Sequence, residues 1–215
     1  MSTTFAVIVT SYNYRNFVAE AIDGALAQTR APKQIVVVDD GSTDSTREIA
    51  EAARSGDSRV RVIVCERNAG RSAARNRGID ESTGRWVAVM DADDLWFRGR
   101  LAALIRAADA YPTAMAITDD IMGFTIADST RPPAAESITL NHRHVTRDSW
   151  WVGGMHPMKR DSWFRDRECH MRPIVDREFL LRTGIRYPEH MSSAEDLAFY
   201  TQIAFSPEAS MTVRV

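Results

Sequence analysis

The stretch Trp86-Val-Ala-Val-Met-Asp-Ala-Asp-Asp-Leu-Trp96 constrains this chain more than any other. Its apolar half follows Gly84, is too short for a helix and reads as a buried strand that runs directly into Asp91, Asp93 and Asp94. Three carboxylates at such a strand end repel one another and lose solvation, so they need a counter-charge, most simply a divalent cation. Oxygen ligands suit Mg²⁺ or Mn²⁺, and Mg²⁺ is commonly held by one or two carboxylates together with substrate phosphates. Taken alone, the same residues read as an acidic turn with Asp93 or Asp94 as the N-cap of the next helix. The rest of the chain decides between these readings.

Phe5 to Thr10 is a continuous apolar run, as expected of a strand covered on both faces, and a polar loop from Ser11 to Asn16 follows it. Val18, Ile22, Ala25 and Leu26 recur at helical spacing before Pro32. Gln34 to Asp39 is a second strand, ending in Asp39-Asp40-Gly41-Ser42. Ser45 and Glu48 have capping-box spacing and predict a helix over Thr46 to Arg54, closed by Gly56. A third strand from Val60 to Cys65, a turn at Asn68-Ala-Gly70 and a helix from Ser72 to Glu81 lead to the opening stretch as fourth strand. This alternation predicts an α/β fold: a Rossmann-like, mostly parallel sheet flanked by helices. Leu101, Leu104 and Ile105 mark another helix, and Ala114 to Thr118 a fifth strand. Residues 129–172 show no clean periodicity and read as a lid or acceptor-side segment. Order returns with short helices over Asp176 to Arg182, ended by Gly184, and Glu195 to Ala204. Met211-Thr-Val-Arg-Val looks like the start of another strand.

A chain of 215 residues favours one domain, or one domain and a lid. A net charge of -2 argues against a general nucleic-acid binder. Cys65 and Cys169 suggest neither a disulfide framework nor a zinc motif, and His142, His144, His156 and His170 lack metal spacing. Without a basic-then-apolar start or a run of membrane-spanning length, the expectation is a cytoplasmic protein.

Ligands of open parallel sheets bind outside the carboxyl ends of the strands, where Thr10, Tyr12, Asp39, Asp40, Asn68 to Arg71 and Asp91 to Asp94 collect. A nucleotide would use each group: carboxylates accept from base N–H or ribose hydroxyls, a ring stacks on the base, and a metal neutralises a diphosphate. The dinucleotide motif Gly-x-Gly-x-x-Gly is missing after the first strand, as is a P-loop.

Four segments, Val7 to Asn13, Val36 to Asp44, Asn68 to Asn76 and Met90 to Trp96, resemble in order the motifs of glycosyltransferase family 2, and Glu195-Asp196 resembles its later Glu-Asp segment. The resemblance implies a GT-A fold, a nucleotide-sugar donor, here a UDP-sugar, and hexosyl or N-acetylhexosaminyl transfer with inversion, in polysaccharide or glycoconjugate biosynthesis. It implies that Thr10, Tyr12 and Asp40 hold base and ribose, that Asp91 contacts the donor, that Asp93 binds Mn²⁺ or Mg²⁺, and that Asp196 is the catalytic base. Taken alone, Asp196 is an acid favoured at a helix N-terminus. Of Arg71 and Arg75, one reaches the base or phosphate and the other reads as a solvated helix charge; Arg71 is taken as the donor contact. His156 is a candidate for the diphosphate or the acceptor. Residues 1–128 then form the nucleotide-sugar-binding half and 129–215 the acceptor-side segment. Trp150, Trp151, Trp163 and Phe164 lie among arginines and lysines, a mixture that suits a saccharide acceptor, a lipid-linked saccharide reached by peripheral membrane contact, or a packed lid. Two alternatives stand beside this reading. A sugar-nucleotide nucleotidyltransferase would need a glycine-rich basic loop after the first strand, and a non-catalytic nucleotide-sugar-binding module would not need to keep both Asp93 and Asp196.

Overall fold

The computed structural model describes residues 3–119, 156–157, 172–208 and 212–214. In chain order the elements are β1 (Phe5–Ser11), α1 (Val18–Leu26), β2 (Gln34–Asp39), α2 (Thr46–Gly56), β3 (Val60–Val64), α3 (Arg71–Glu81), β4 (Trp86–Asp91), α4 (Arg100–Ala110), β5 (Ala116–Thr118), β6 (His156–Pro157), β7 (Ile174–Asp176), α5 (Arg177–Thr183), α6 (Glu195–Phe205) and β8 (Thr212–Arg214). The strands form one sheet in the order β3-β2-β1-β4-β7-β5-β8-β6. The run from β3 to β4 is parallel, as the alternation requires. β7 enters antiparallel between β4 and β5, and β6 is antiparallel to β8.

Every residue of β1 is buried because its side chains alternate between two packed faces. Val7 and Val9 face one core with Ile22 of α1, Ala50 of α2 and Leu104 of α4. Ala6 and Ile8 face the other with Ile79 of α3, Phe179 of α5 and Phe199 of α6. Three layers result, and the loops at the carboxyl ends of β1, β2 and β4 are left to build a site. One glycine sets the spacing on that second face: a Cβ on Gly78 would fall inside the Ile8 side chain, so α3 lies closer to β1 than an alanine would allow.

Local chemistry differs from the sequence reading at three helix starts, and α2 runs through Gly56 to a C-cap at Asp57 instead of closing at Gly56. Ser45 makes no side-chain capping bond. Asp44 takes that part instead, its Oδ1 accepting from the Thr46 amide at 2.9 Å and from the Thr46 hydroxyl, so the helix start is fixed by an acid one residue earlier than the box predicts. Neither Asp93 nor Asp94 caps α4, whose N-cap position is Gly99. Asp176 is an N-cap rather than a helical residue, accepting from the Phe179 amide at 3.0 Å, and the residues before it form β7. Gly184 closes α5 at φ 69°, a left-handed conformation that favours glycine. The strand expected after Met211 is present as β8.

Candidate active site

The loop after β1 is tied to the loop after β2. Asn13, itself at φ 57°, accepts from the Thr43 amide through Oδ1 at 2.8 Å and donates its own amide to Ser42 Oγ at 2.9 Å. Asp39 accepts from the Ser42 amide at 3.3 Å and from its hydroxyl. Asp40 is 3 % exposed, and its two oxygens accept from the Ala69 and Gly70 amides at 2.9 and 2.8 Å, stapling the turn before α3 to the end of β2. Tyr12 is 40 % exposed on the same edge of the sheet.

The centre of the site is a charge cluster. Arg75 is 1 % exposed on the inner face of α3, one turn before Gly78. Its Nη2 donates to both oxygens of Asp91 at 2.8 and 3.1 Å, and its Nη1 to Glu195 at 3.1 Å and Asp196 at 2.6 Å. The guanidinium also lies over the Tyr187 ring, 5.2 Å from its centroid. Arg172, which directly precedes Pro173 and β7, donates through Nη1 to Asp196 Oδ2 and through Nη2 to Asp91 Oδ2, both at 3.0 Å. Thr10 donates its hydroxyl to Asp91 at 3.3 Å. Arg71 is 63 % exposed, with Nη1 3.5 Å from Glu195.

Asp91 has two counter-charges within the chain, the guanidinium cations of Arg75 and Arg172. Arg75 is thus a buried ion-pair residue, which corrects its reading as a solvated helix charge. Burial alone would lift Asp91, but the two guanidinium groups outweigh it and hold the carboxyl below its ordinary value. Asp196 goes the other way: burial raises it, against the pull of Arg75 and Arg172. Asp94 is pushed up to about 6 by burial and by the adjacent charge of Asp91. Asp93 is exposed and accepts from the Tyr14 hydroxyl at 3.4 Å. Burial, then the Asp93 charge, raises that phenol.

The structure therefore brings Thr10, Asp91 and Asp196 into one hydrogen-bonded cluster, with Arg71 at its rim and Asp93 two residues beyond Asp91. His156 lies in β6, paired with Arg214, and its side chain is outside the described residues, as are Trp150, Trp151, Trp163 and Phe164. Arg75 had a signal in the sequence, since it shares a helical face with Gly78 and Ile79. Arg172 had none, because its partners are distant in the chain. Among the described residues no three His, Cys, Asp or Glu side chains are grouped to hold a metal unaided.

Residues 6–165 match the sequence profile of Glycosyl transferase family 2. The chain belongs to this family. Curated relatives include the succinoglycan biosynthesis proteins ExoO and ExoU of Rhizobium meliloti (strain 1021). ExoO is 32% identical over 191 residues, 88% of this chain and 52% of ExoO. ExoU is 32% identical over 201 residues, 93% of this chain and 56% of ExoU. The chain thus spans about half the length of the curated relatives it matches. Among solved structures, S. aureus TarS 1-349 in complex with UDP superposes with a TM-score of 0.77 at 24% identity, over 99% of this chain and 58% of that one. The mannosyltransferase PcManGT from Pyrobaculum calidifontis, in complex with GDP-Man and Mn²⁺, gives 0.66 at 21% identity over 99% of this chain and 54% of its own. The family 2 chain has the GT-A fold these neighbours share.

Proposed function

We propose that the chain is the donor-binding and catalytic part of an inverting glycosyltransferase that moves a sugar from a UDP-sugar to an acceptor hydroxyl. One observation carries the proposal: Asp196, on α6, is held beside Asp91, at the end of β4, by two arginines that donate to both carboxylates. A donor-side carboxylate and a second, raised carboxylate in one cluster are what an in-line displacement uses. The acceptor oxygen attacks the anomeric carbon, its bond forms as the bond to the diphosphate oxygen breaks, Asp196 takes the hydroxyl proton, and the nucleoside diphosphate leaves with the electron pair. TarS structures are described with UDP and with UDP-GlcNAc, which favours a uridine donor here.

Thr10, Tyr12 and Asp40 line the uridine side. The Asp40 oxygens already each accept one backbone amide, so a base N–H would take a remaining lone pair. Arg71, exposed at the rim, is placed for a phosphate. A divalent ion fits Asp93 better than Asp91: Asp91 already accepts from Arg75, Arg172 and Thr10, whereas Asp93 is exposed and offers hard oxygens. One such carboxylate plus the donor's diphosphate is a usual Mg²⁺ or Mn²⁺ arrangement. When bound, the ion would supply positive charge to the departing diphosphate. Residues 1–128 then carry the donor and 129–215 complete the acceptor side, for a saccharide or a lipid-linked saccharide.

Calorimetric titration of UDP in Mn²⁺ and in EDTA tests this reading. Affinity should drop on chelation and in Asp93→Asn, and equal affinity in all three would remove Asp93 and the metal from donor binding.

A further inference from the structure

Two guanidinium groups hold the carboxylates of this site, and they are not equivalent. Arg75 is 1 % exposed, bonded to Asp91, Glu195 and Asp196 and backed by the Tyr187 ring, so it is a fixed part of the frame. Arg172 is 21 % exposed and comes from the coil before β7. Among the described residues its side chain donates to Asp91 and Asp196, one bond from each terminal nitrogen, and its Nε, 3.9 Å from Asp94, finds no hydrogen-bond partner. Asp91 belongs to β4 and Asp196 to α6, elements on different segments of the chain that meet here through side chains.

We propose that Arg172 is a positioning residue: it clamps Asp196 to Asp91, so that the base is held at a fixed place and angle relative to the bound donor. This rests on the reading of Asp196 as the base. Arg75 holds one oxygen of Asp196, Oδ1, and Arg172 holds the other, Oδ2. With one oxygen released, the carboxylate turns about its remaining partner and the oxygen facing the acceptor is no longer set. A displacement of about 1 Å at such a group costs roughly 100-fold in rate. A lysine would keep the charge and lose the fork, because one ammonium does not present two separated N–H groups in a plane.

Among the described residues, the groups facing Asp196 are Arg75 from α3, Arg172, Asp91 from β4, the Tyr187 phenol, and Glu195 and Tyr200 from its own helix. Removing one of the two cations among these raises the Asp196 titration midpoint.

Carbon-13 NMR of labelled aspartate carboxyls in EDTA, with Asp196 assigned from Asp196→Asn, reads this without any substrate. In Arg172→Ala the Asp196 midpoint should rise by about 1 unit, the lower end of the effect of a nearby opposite charge. Arg172→Lys should restore most of that midpoint. UDP release from UDP-GlcNAc, with water as acceptor, reads the positional part: kcat falls about 100-fold in Arg172→Ala, the donor KM changes little, and Arg172→Lys fails to recover kcat. An unmoved midpoint in Arg172→Ala overturns the proposal, and where the wild type releases no UDP the midpoint alone decides. An inactive Asp196→Asn beside a fully active Arg172→Ala overturns it while leaving Asp196 as base. An active Asp196→Asn overturns the base reading itself, and the clamp's purpose with it.

Discussion

Asp196 illustrates how the proton affinity of one carboxylate is set by its surroundings. Burial raises its proton affinity, and the guanidinium groups of Arg75 and Arg172 pull against that rise. Asp196→Asn should keep UDP affinity, because Asp91, Thr10 and Asp93 are untouched, and should lower transfer by roughly 10²–10⁴-fold, the usual worth of a general base. Paired calorimetry and turnover measurements check both halves of that expectation. Asp94 makes a second prediction, on stability. Its folded value, about 6, lies above the ordinary unfolded value, so the folded chain binds this proton more tightly than the unfolded one. The contribution is favourable below the unfolded value of about 4 and is lost as pH rises through about 6. In EDTA, Asp94→Asn should therefore melt higher than wild type by a margin that widens from pH 4 to 6 and then stays level. A margin that shrinks over that interval would contradict the assignment.

At the scale of elements, α3 is the part whose packing the site depends on. Gly78 lets it lie close to β1, and Arg75, three residues earlier on the same face, is thereby carried to the end of β4. Gly78→Ala would gain about 1 kcal/mol of helix propensity but force a methyl into Ile8, which is fully buried; overpacking of that kind costs about 1–3 kcal/mol. The steric term should win, lowering the melting temperature by several degrees and weakening UDP binding in the same variant. Unchanged stability would mean that α3 can shift outward without disturbing Arg75. The elements also show what the sequence made legible. β1, β2 and β4 were readable because strands covered on both faces are apolar without interruption, and α5 because Gly184 marks its end. β7 was not, since Ile174-Val175-Asp176 is too short to show a period and owes its existence to β4 and β5, distant in sequence. Ser45 mimicked a capping residue because spacing alone cannot tell which neighbouring side chain reaches the amide. Arg172 and the ion pairs of Arg75 are products of tertiary contact and leave no local pattern. Asp196 was visible as a helix-terminal acid, and its proposed role came only through family resemblance.

For the molecule as a whole, donor binding should act as a stabiliser, since on the proposed reading the ligand bridges loops from β1, β2, α3 and β4. At one hundred times Kd the gain is about 2.7 kcal/mol, which for a chain of this size raises the melting temperature by roughly 5–10 °C. Among UDP-, GDP- and dTDP-sugars, the UDP-sugar with Mn²⁺ should give the largest shift, and a GDP-sugar exceeding it would redirect the donor assignment. No helix among the described residues is long and apolar enough to cross a membrane. A further consequence follows from β7, which seals the edge of β4 from a point late in the chain. A ribosome delivers β1 to β4 first, so the growing polypeptide carries an open, apolar strand edge until residues 174–176 emerge. Over that interval the open edge is exposed to wrong strand pairing. The growing polypeptide also lacks Phe179 and Phe199, which cover the second face of β1, so the donor half cannot complete its core until the later segment arrives.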